Sequence, residues 1–305
     1  MFIAGIFLTR VSFGQVYTIP IVWQGDSLGG TWNPHAALLL PVKLENSSLT
    51  FYMQFDLGSP YSMFYRDQLE KAGALASTNA GAATHTGDTI PEITLRIGTM
   101  TRIMSKVPVR SLIQAVNDAK GRADRQRFLI IGTLGADIID QHVVAFDYPH
   151  LQLTIADSLP ASFPVPGDRF YFTGGRLFFP VTIRQKQTLL YFDTGSSAFQ
   201  LLIDSASWSQ LADHRAQPVS YPVNSWGRTL SAHTINTPDS IGISSSYIPI
   251  HRVTYIEGAD TSQINTMKKM GIGGMAGNAL FLDYLLILDT RRQLFSLTPA
   301  FTGKR

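Results

Sequence analysis

Cysteine is missing from all 305 residues. That excludes a thiol nucleophile, thiolate metal ligation and disulfides. Charge is also sparse: 15% of residues are charged and the formal net charge is +3. So small an excess does not suggest nucleic-acid binding. The short basic runs at 121–127 and at Arg291-Arg292 read as solvated loops. The apolar run over residues 2–8 is far too short to span a bilayer, so no membrane insertion is expected. The seven histidines show no H-E-x-x-H or other metal spacing, and neither a metal nor another cofactor is expected. "GIGGMAG" (271–277) lacks the βαβ context and the distant acid of a dinucleotide loop. "TGSSA" (194–198) is not a G-x-S-x-G nucleophile elbow. Asn46-Ser47-Ser48 matches a glycosylation acceptor, a triplet common by chance.

What is present is mostly β in character. At 45% hydrophobic, the chain has material for one or two packed cores. Runs at 36–44, 49–55, 92–98, 176–183 and 188–192 are rich in β-branched and aromatic residues, with Gly, Pro, Asn and Ser between them. Helical patterns are short and fall at 66–73, 111–121 and 205–213. Residues 154–168 carry three prolines and read as an inter-domain linker. At the N-terminus, the apolar stretch followed by Ser12 and Gly14 suits signal-peptidase cleavage just after Gly14. The expected organisation is a signal peptide over 1–14, one lobe over 15–158 and a second over 159–305. A periplasmic or secreted location follows, and no cysteine after the cleavage point could carry a lipid.

The chain also repeats itself. "LLPVKLENSSLTFYMQFDLGS" (39–59) resembles "FFPVTIRQKQTLLYFDTGS" (178–196). Pro41 answers Pro180 at an offset of 139, and Asp56 answers Asp193 at 137. "THTGDTI" (84–90) answers "NSWGRTL" (224–230), with Gly87 on Gly227 at 140. "GADIIDQHVVAFD" (135–147) answers "GNALFLDYLLILD" (277–289) at an ungapped 142. Four blocks in one order at nearly one offset describe a duplicated unit of ~140 residues.

The repeat pairs two acids. Asp56-Leu57-Gly58-Ser59 and Asp193-Thr194-Gly195-Ser196 are equivalent, and equivalent elements of two similar halves meet at their two-fold axis. The glycines let the backbones approach closely. Two carboxyls brought together share one proton and can hold a water between them. The ionised member then serves as general base, while the protonated member polarises a carbonyl. Ser59 and Ser196 can donate to the outer carboxylate oxygens.

These two D-x-G-S motifs, with the apolar-glycine blocks "TLGADIID" (133–140) and "MAGNALFL" (275–282), resemble the aspartic peptidases of the pepsin/retropepsin family in a bacterial-style single chain. The resemblance covers nearly all of the chain after the signal. It implies an all-β fold of two similar β-barrel lobes with the active cleft between them. It also implies Asp56 and Asp193 as catalytic residues, supported by Gly58, Ser59, Thr194, Gly195 and Ser196. The substrate would be a peptide or protein and the chain a monomer. In this family a hydroxyl residue follows each catalytic Asp and bridges the two loops. Thr194 can do this and Leu57 cannot, which removes a hydrogen bond worth ~1 kcal/mol. The family's flap would correspond to Thr86 and Gly87 in the first half and to Trp226 and Gly227 in the second. The first half lacks the tyrosine that pepsins carry at the flap tip; the aromatic here is Trp226. Two other readings share the same residues: a catalytically inactive relative binding a peptide or other ligand in the cleft, and a structural envelope protein.

Overall fold

A computed structural model describes residues 14–45, 47–73, 89–111 and 128–300. The chain is mostly β-sheet, arranged in several sheets with three short α-helices among the described residues. The expected signal peptide, the expected helix beyond residue 111, the Asn46 acceptor and the flap positions Thr86 and Gly87 lie outside the described residues.

In the first half, seven strands pair in the order Val22–Leu28, Thr31–Leu44, Phe51–Phe55, Ile130–Leu134, Met63–Tyr65, Met100–Arg110 and Thr89–Ile97. The last of these pairs back onto Thr31–Leu44, so the sheet closes on itself. Val22–Leu28 lies outside the closed ring, paired on one side to Thr31–Leu44. Phe51–Phe55 shows why this segment is a strand. Phe51, Met53 and Phe55 are buried while Tyr52 and Gln54 are half-buried on the other face, the period-2 alternation of a β-strand.

In the second half, Ser246–Pro249, Ser240–Ile243, Arg176–Ile183, Lys186–Phe192 and Ile272–Ala276 form one sheet, with Tyr171–Thr173 paired to Arg176–Ile183. Val219–Ser225, Arg228–Asn236 and Arg252–Glu257 form another. In each half the strand leading to a D-x-G-S motif pairs in parallel with the strand leading to a glycine block: Phe51–Phe55 with Ile130–Leu134, and Lys186–Phe192 with Ile272–Ala276.

A six-stranded antiparallel sheet draws on both halves, in the order Val16–Pro20, Gln152–Ala156, Val143–Asp147, Tyr284–Asp289, Leu294–Pro299 and Asp168–Arg169. The halves join at its centre, where Ala145 faces Ile287 and Val143 faces Asp289. From this sheet Phe146 stacks on Phe55 at 5.8 Å and meets Phe192 edge-on at 6.0 Å. One buried ring thus packs beneath both acid-bearing strands. Phe192 continues the aromatic core to Phe179 and Phe281.

The helices at Arg66–Lys71 and Ser205–Leu211 fall where sequence periodicity placed them, and Asp204 caps the second by accepting from the amides of Ala206 and Ser207. A third helix, Thr261–Lys269, was not expected, because its mostly polar residues carry no clear apolar stripe. The linker expectation needs correction at its start. Thr154, Ile155 and Ala156 belong to the strand Gln152–Ala156, since a paired neighbour on each side outweighs the nearby prolines. Leu159 and Phe163, further along, pack onto Val143, Ala145 and Ile287 of the shared sheet. No helix among the described residues is long and apolar enough to cross a membrane.

Candidate active site

Each acid sits at the first position past its strand, where the backbone is held by the neighbouring parallel strand. The Asp56 amide donates to Leu134 O at 3.0 Å, and the Asp193 amide to Ala276 O at 2.9 Å. Immediately beyond those carbonyls come Gly135 and Gly277, which open the short 3-10 turns Ala136–Ile138 and Asn278–Leu280. Both glycines lie against the acid loops: a Cβ at Gly135 would come 2.8 Å from Ser59 O, and one at Gly277 would collide with Ser196 O.

The two acids meet. Each carboxyl lies against the glycine of the other's loop. A Cβ at Gly58 would lie 2.5 Å from Asp193 Oδ1, and one at Gly195 would press as closely on Asp56 Oδ1. Each glycine is therefore required by the carboxylate of the opposite loop. Within its own loop, each carboxylate accepts from the glycine amide two residues on: Gly58 to Asp56 Oδ1 and Gly195 to Asp193 Oδ1, both at 2.8 Å.

Burial raises the Asp56 carboxyl from its ordinary 3.8 to about 8, assisted by the adjacent charge of Asp193. Amide bonds from Gly58 and Ser59 pull the other way and are outweighed. Asp56 is thereby disposed to keep a proton well above the usual carboxyl range, and that proton is shared across its contact with Asp193.

Thr194 spans the gap between the loops. Its hydroxyl accepts from the Leu57 amide at 2.8 Å and donates to Phe55 O at 2.7 Å. Leu57 offers no hydroxyl in return; its side chain is buried in the core. The bridge is thus one-sided, as the sequence implied.

The serines behave differently from each other. Ser196 Oγ donates to Asp193 Oδ2 at 2.9 Å, as expected. Ser59 does not reach Asp56, and the expectation is corrected: its hydroxyl donates to Tyr61 O at 2.7 Å. Residues 59–61, with Pro60 at their centre, form a bend.

Trp226 and Gly227 form the two-residue tip of the hairpin joining Val219–Ser225 to Arg228–Asn236. Their φ values of 51° and 82° are those of a tight hairpin turn, and Asn224 Oδ1 accepts from the Gly227 amide. The tip is exposed at Trp226. No hydrogen bond or ring contact among those described ties it to the acids.

Three residues at the site were missed in the sequence. Tyr191 Oη donates to Gly58 O at 3.0 Å, and Gln54 Nε2 donates to Gly195 O at 3.4 Å. The visible signal was a hydrogen-bonding residue two places before each acid, in otherwise apolar runs. Asn278, fully buried, donates to Thr194 O at 2.9 Å and to Ser197 Oγ, and accepts from Tyr148 Oη, each at 2.6 Å. Its signal was an Asn inside the second glycine block where the first has Ala136.

No protein-family model matches this chain, and no curated protein is significantly similar to it.

Proposed function

We propose that this protein is an aspartic endopeptidase of the pepsin/retropepsin type, with Asp56 and Asp193 as its catalytic pair. The observation that carries this reading is the mutual contact of a buried and a half-buried acid supplied by two loops of the same motif. The reading also holds that the halves are similar lobes about a pseudo-two-fold axis. In its support, the central strands pair with Ala145 opposite Ile287, and these positions are equivalent at the 142-residue offset of the sequence repeat. Export to the periplasm or beyond belongs to the same reading, on the strength of the apolar start and the small residues before Gln15.

The chemistry follows from where the proton sits. A water held between the carboxyls gives a proton to Asp193 as its oxygen attacks the scissile carbonyl carbon. Protonated Asp56 donates a hydrogen bond, then its proton, to the carbonyl oxygen, stabilising the tetrahedral diol. Collapse of the diol breaks the C–N bond, with the proton held by Asp193 passing to the leaving nitrogen and one diol proton returning to Asp56. Deprotonation of Asp56 removes the acid, so turnover should fall as pH rises through about 8.

Incubation with an unfolded protein tests this. The wild-type chain should cleave it, and Asp56→Asn and Asp193→Asn should each lose at least about 10³-fold in kcat/KM. Equal cleavage by wild type and both variants would remove the pair from the mechanism. If the wild type cleaves nothing while Leu57→Thr does, the chain is the binding-type relative, a reading favoured by the one-sided bridge at buried Leu57.

A further inference from the structure

We infer that Tyr191 and Gln54 are positioning residues, forming a crossed brace between the two acid loops that takes the place of the hydroxyl missing at Leu57. The inference rests on the peptidase reading and extends it to residues outside the D-x-G-S motifs.

The geometry begins with strand alternation. Side chains two apart share a face, so Gln54 lies on the face of Asp56, and Tyr191 on that of Asp193. Those are the faces the acid loops turn toward each other. Each residue then crosses to the carbonyl of the opposite motif glycine: Tyr191 Oη to Gly58 O at 3.0 Å, and Gln54 Nε2 to Gly195 O at 3.4 Å. The same hydroxyl also lies 3.3 Å from Leu57 O, so it engages the backbone of the one residue that lacks the bridging group.

The two arms are unequal. Tyr191 makes the shorter bond, and its ring is fixed by Phe178 at 5.3 Å. Burial, with help from nearby Asp193, holds its hydroxyl well above the usual tyrosine range, so it remains a donor. Gln54 has a long, weak bond and a half-buried side chain. The strong arm therefore grips the first loop, where Thr194 supplies only an acceptor for one amide and a donor for one carbonyl. Gly58 is also the residue on which Asp193 closes. Drift of its backbone would move one carboxyl relative to the other.

The test is a double-mutant cycle. Tyr191→Phe keeps the ring and removes the donor. In the wild-type background kcat should fall about tenfold with KM little changed, because loose carboxyls impair the transition state rather than binding. In the Leu57→Thr background the same change should cost less than about threefold, the restored hydroxyl having relieved the brace. Gln54→Leu should follow the same pattern more weakly. Equal losses in both backgrounds, or an unchanged kcat, would overturn the brace. If the wild type has no turnover, the peptidase reading fails on its own, and the brace is read from the Asp56 carboxyl titration by NMR. Tyr191→Phe should then shift that titration in wild type and leave it in place in Leu57→Thr. A titration unmoved in both, or moved equally in both, would overturn the inference.

Discussion

The two acid loops share a sequence pattern, yet they hold their carboxyls differently. In the second loop, Asp193 is half-buried and accepts from the Gly195 amide and the Ser196 hydroxyl. In the first, Asp56 is buried more deeply, and Ser59 turns its hydroxyl away to Tyr61 O. Thr194 reaches from the second loop to the first, and Leu57 reaches nowhere in return. Behind the second loop stands the buried Asn278–Tyr148 pair; the equivalent position in the first is Ala136. The second loop is thus the better supported and the first the more desolvated. The two motifs supply two acids that share a proton, and the deeper burial of Asp56 biases that proton toward the first loop.

The comparison breaks most severely at the glycines, where the loops are alike. Gly58→Ala would drive a methyl into Asp193, and Gly195→Ala one into Asp56. Each should lower kcat/KM by about 10²-fold or more, since a displacement near 1 Å at the reacting groups costs that much. Retention of full activity by either variant would show that the carboxyls need not be in contact.

A smaller effect comes from erasing the difference behind the loops. Asn278→Ala makes the second half resemble the first and leaves Tyr148 Oη buried without its acceptor. Stability should fall by about 1–3 kcal/mol, read as a lower midpoint in denaturant with an unchanged slope. An unchanged midpoint would mean that the second loop is held by its own backbone alone.

The serines should give the smallest contrast. Ser196→Ala removes a hydrogen bond to the carboxylate, worth about 1.5–3 kcal/mol when charge-assisted, and should slow turnover by about tenfold. Ser59→Ala touches no carboxylate and should change turnover by less than about threefold. Equal losses at the two positions would deny the asymmetry.

The strands at Phe51–Phe55, Arg176–Ile183 and Lys186–Phe192 were legible because β-branched and aromatic residues alternate there between clear breakers. The meeting of Asp56 with Asp193 was legible from the repeat, because equivalent positions are the ones a two-fold would bring together. Ser59 was misread because motif spacing places a hydroxyl near a carboxylate and says nothing of the bend at 59–61 that offers it the Tyr61 carbonyl instead. Tyr191, Gln54 and Asn278 were missed for a related reason. Each bonds across more than 80 residues of sequence, and alternation tells which face a side chain takes but not what waits opposite. The helix Thr261–Lys269 escaped because a polar surface helix leaves little periodic trace.

The unequal pair also sets the pH dependence of stability. Folded Asp56 holds a proton that the unfolded chain releases near 3.8, so this contribution is complete below that pH and is lost as pH rises toward about 8. Removing the carboxyl by Asp56→Asn should flatten the decline. The most direct measurement is the carboxyl carbon titration of 13C-labelled protein by NMR, compared between wild type and Asp56→Asn. The proton placement described here predicts one aspartate carboxyl titrating near pH 8 in wild type and missing from the variant. A wild-type spectrum in which every aspartate is ionised by about pH 6 would contradict it.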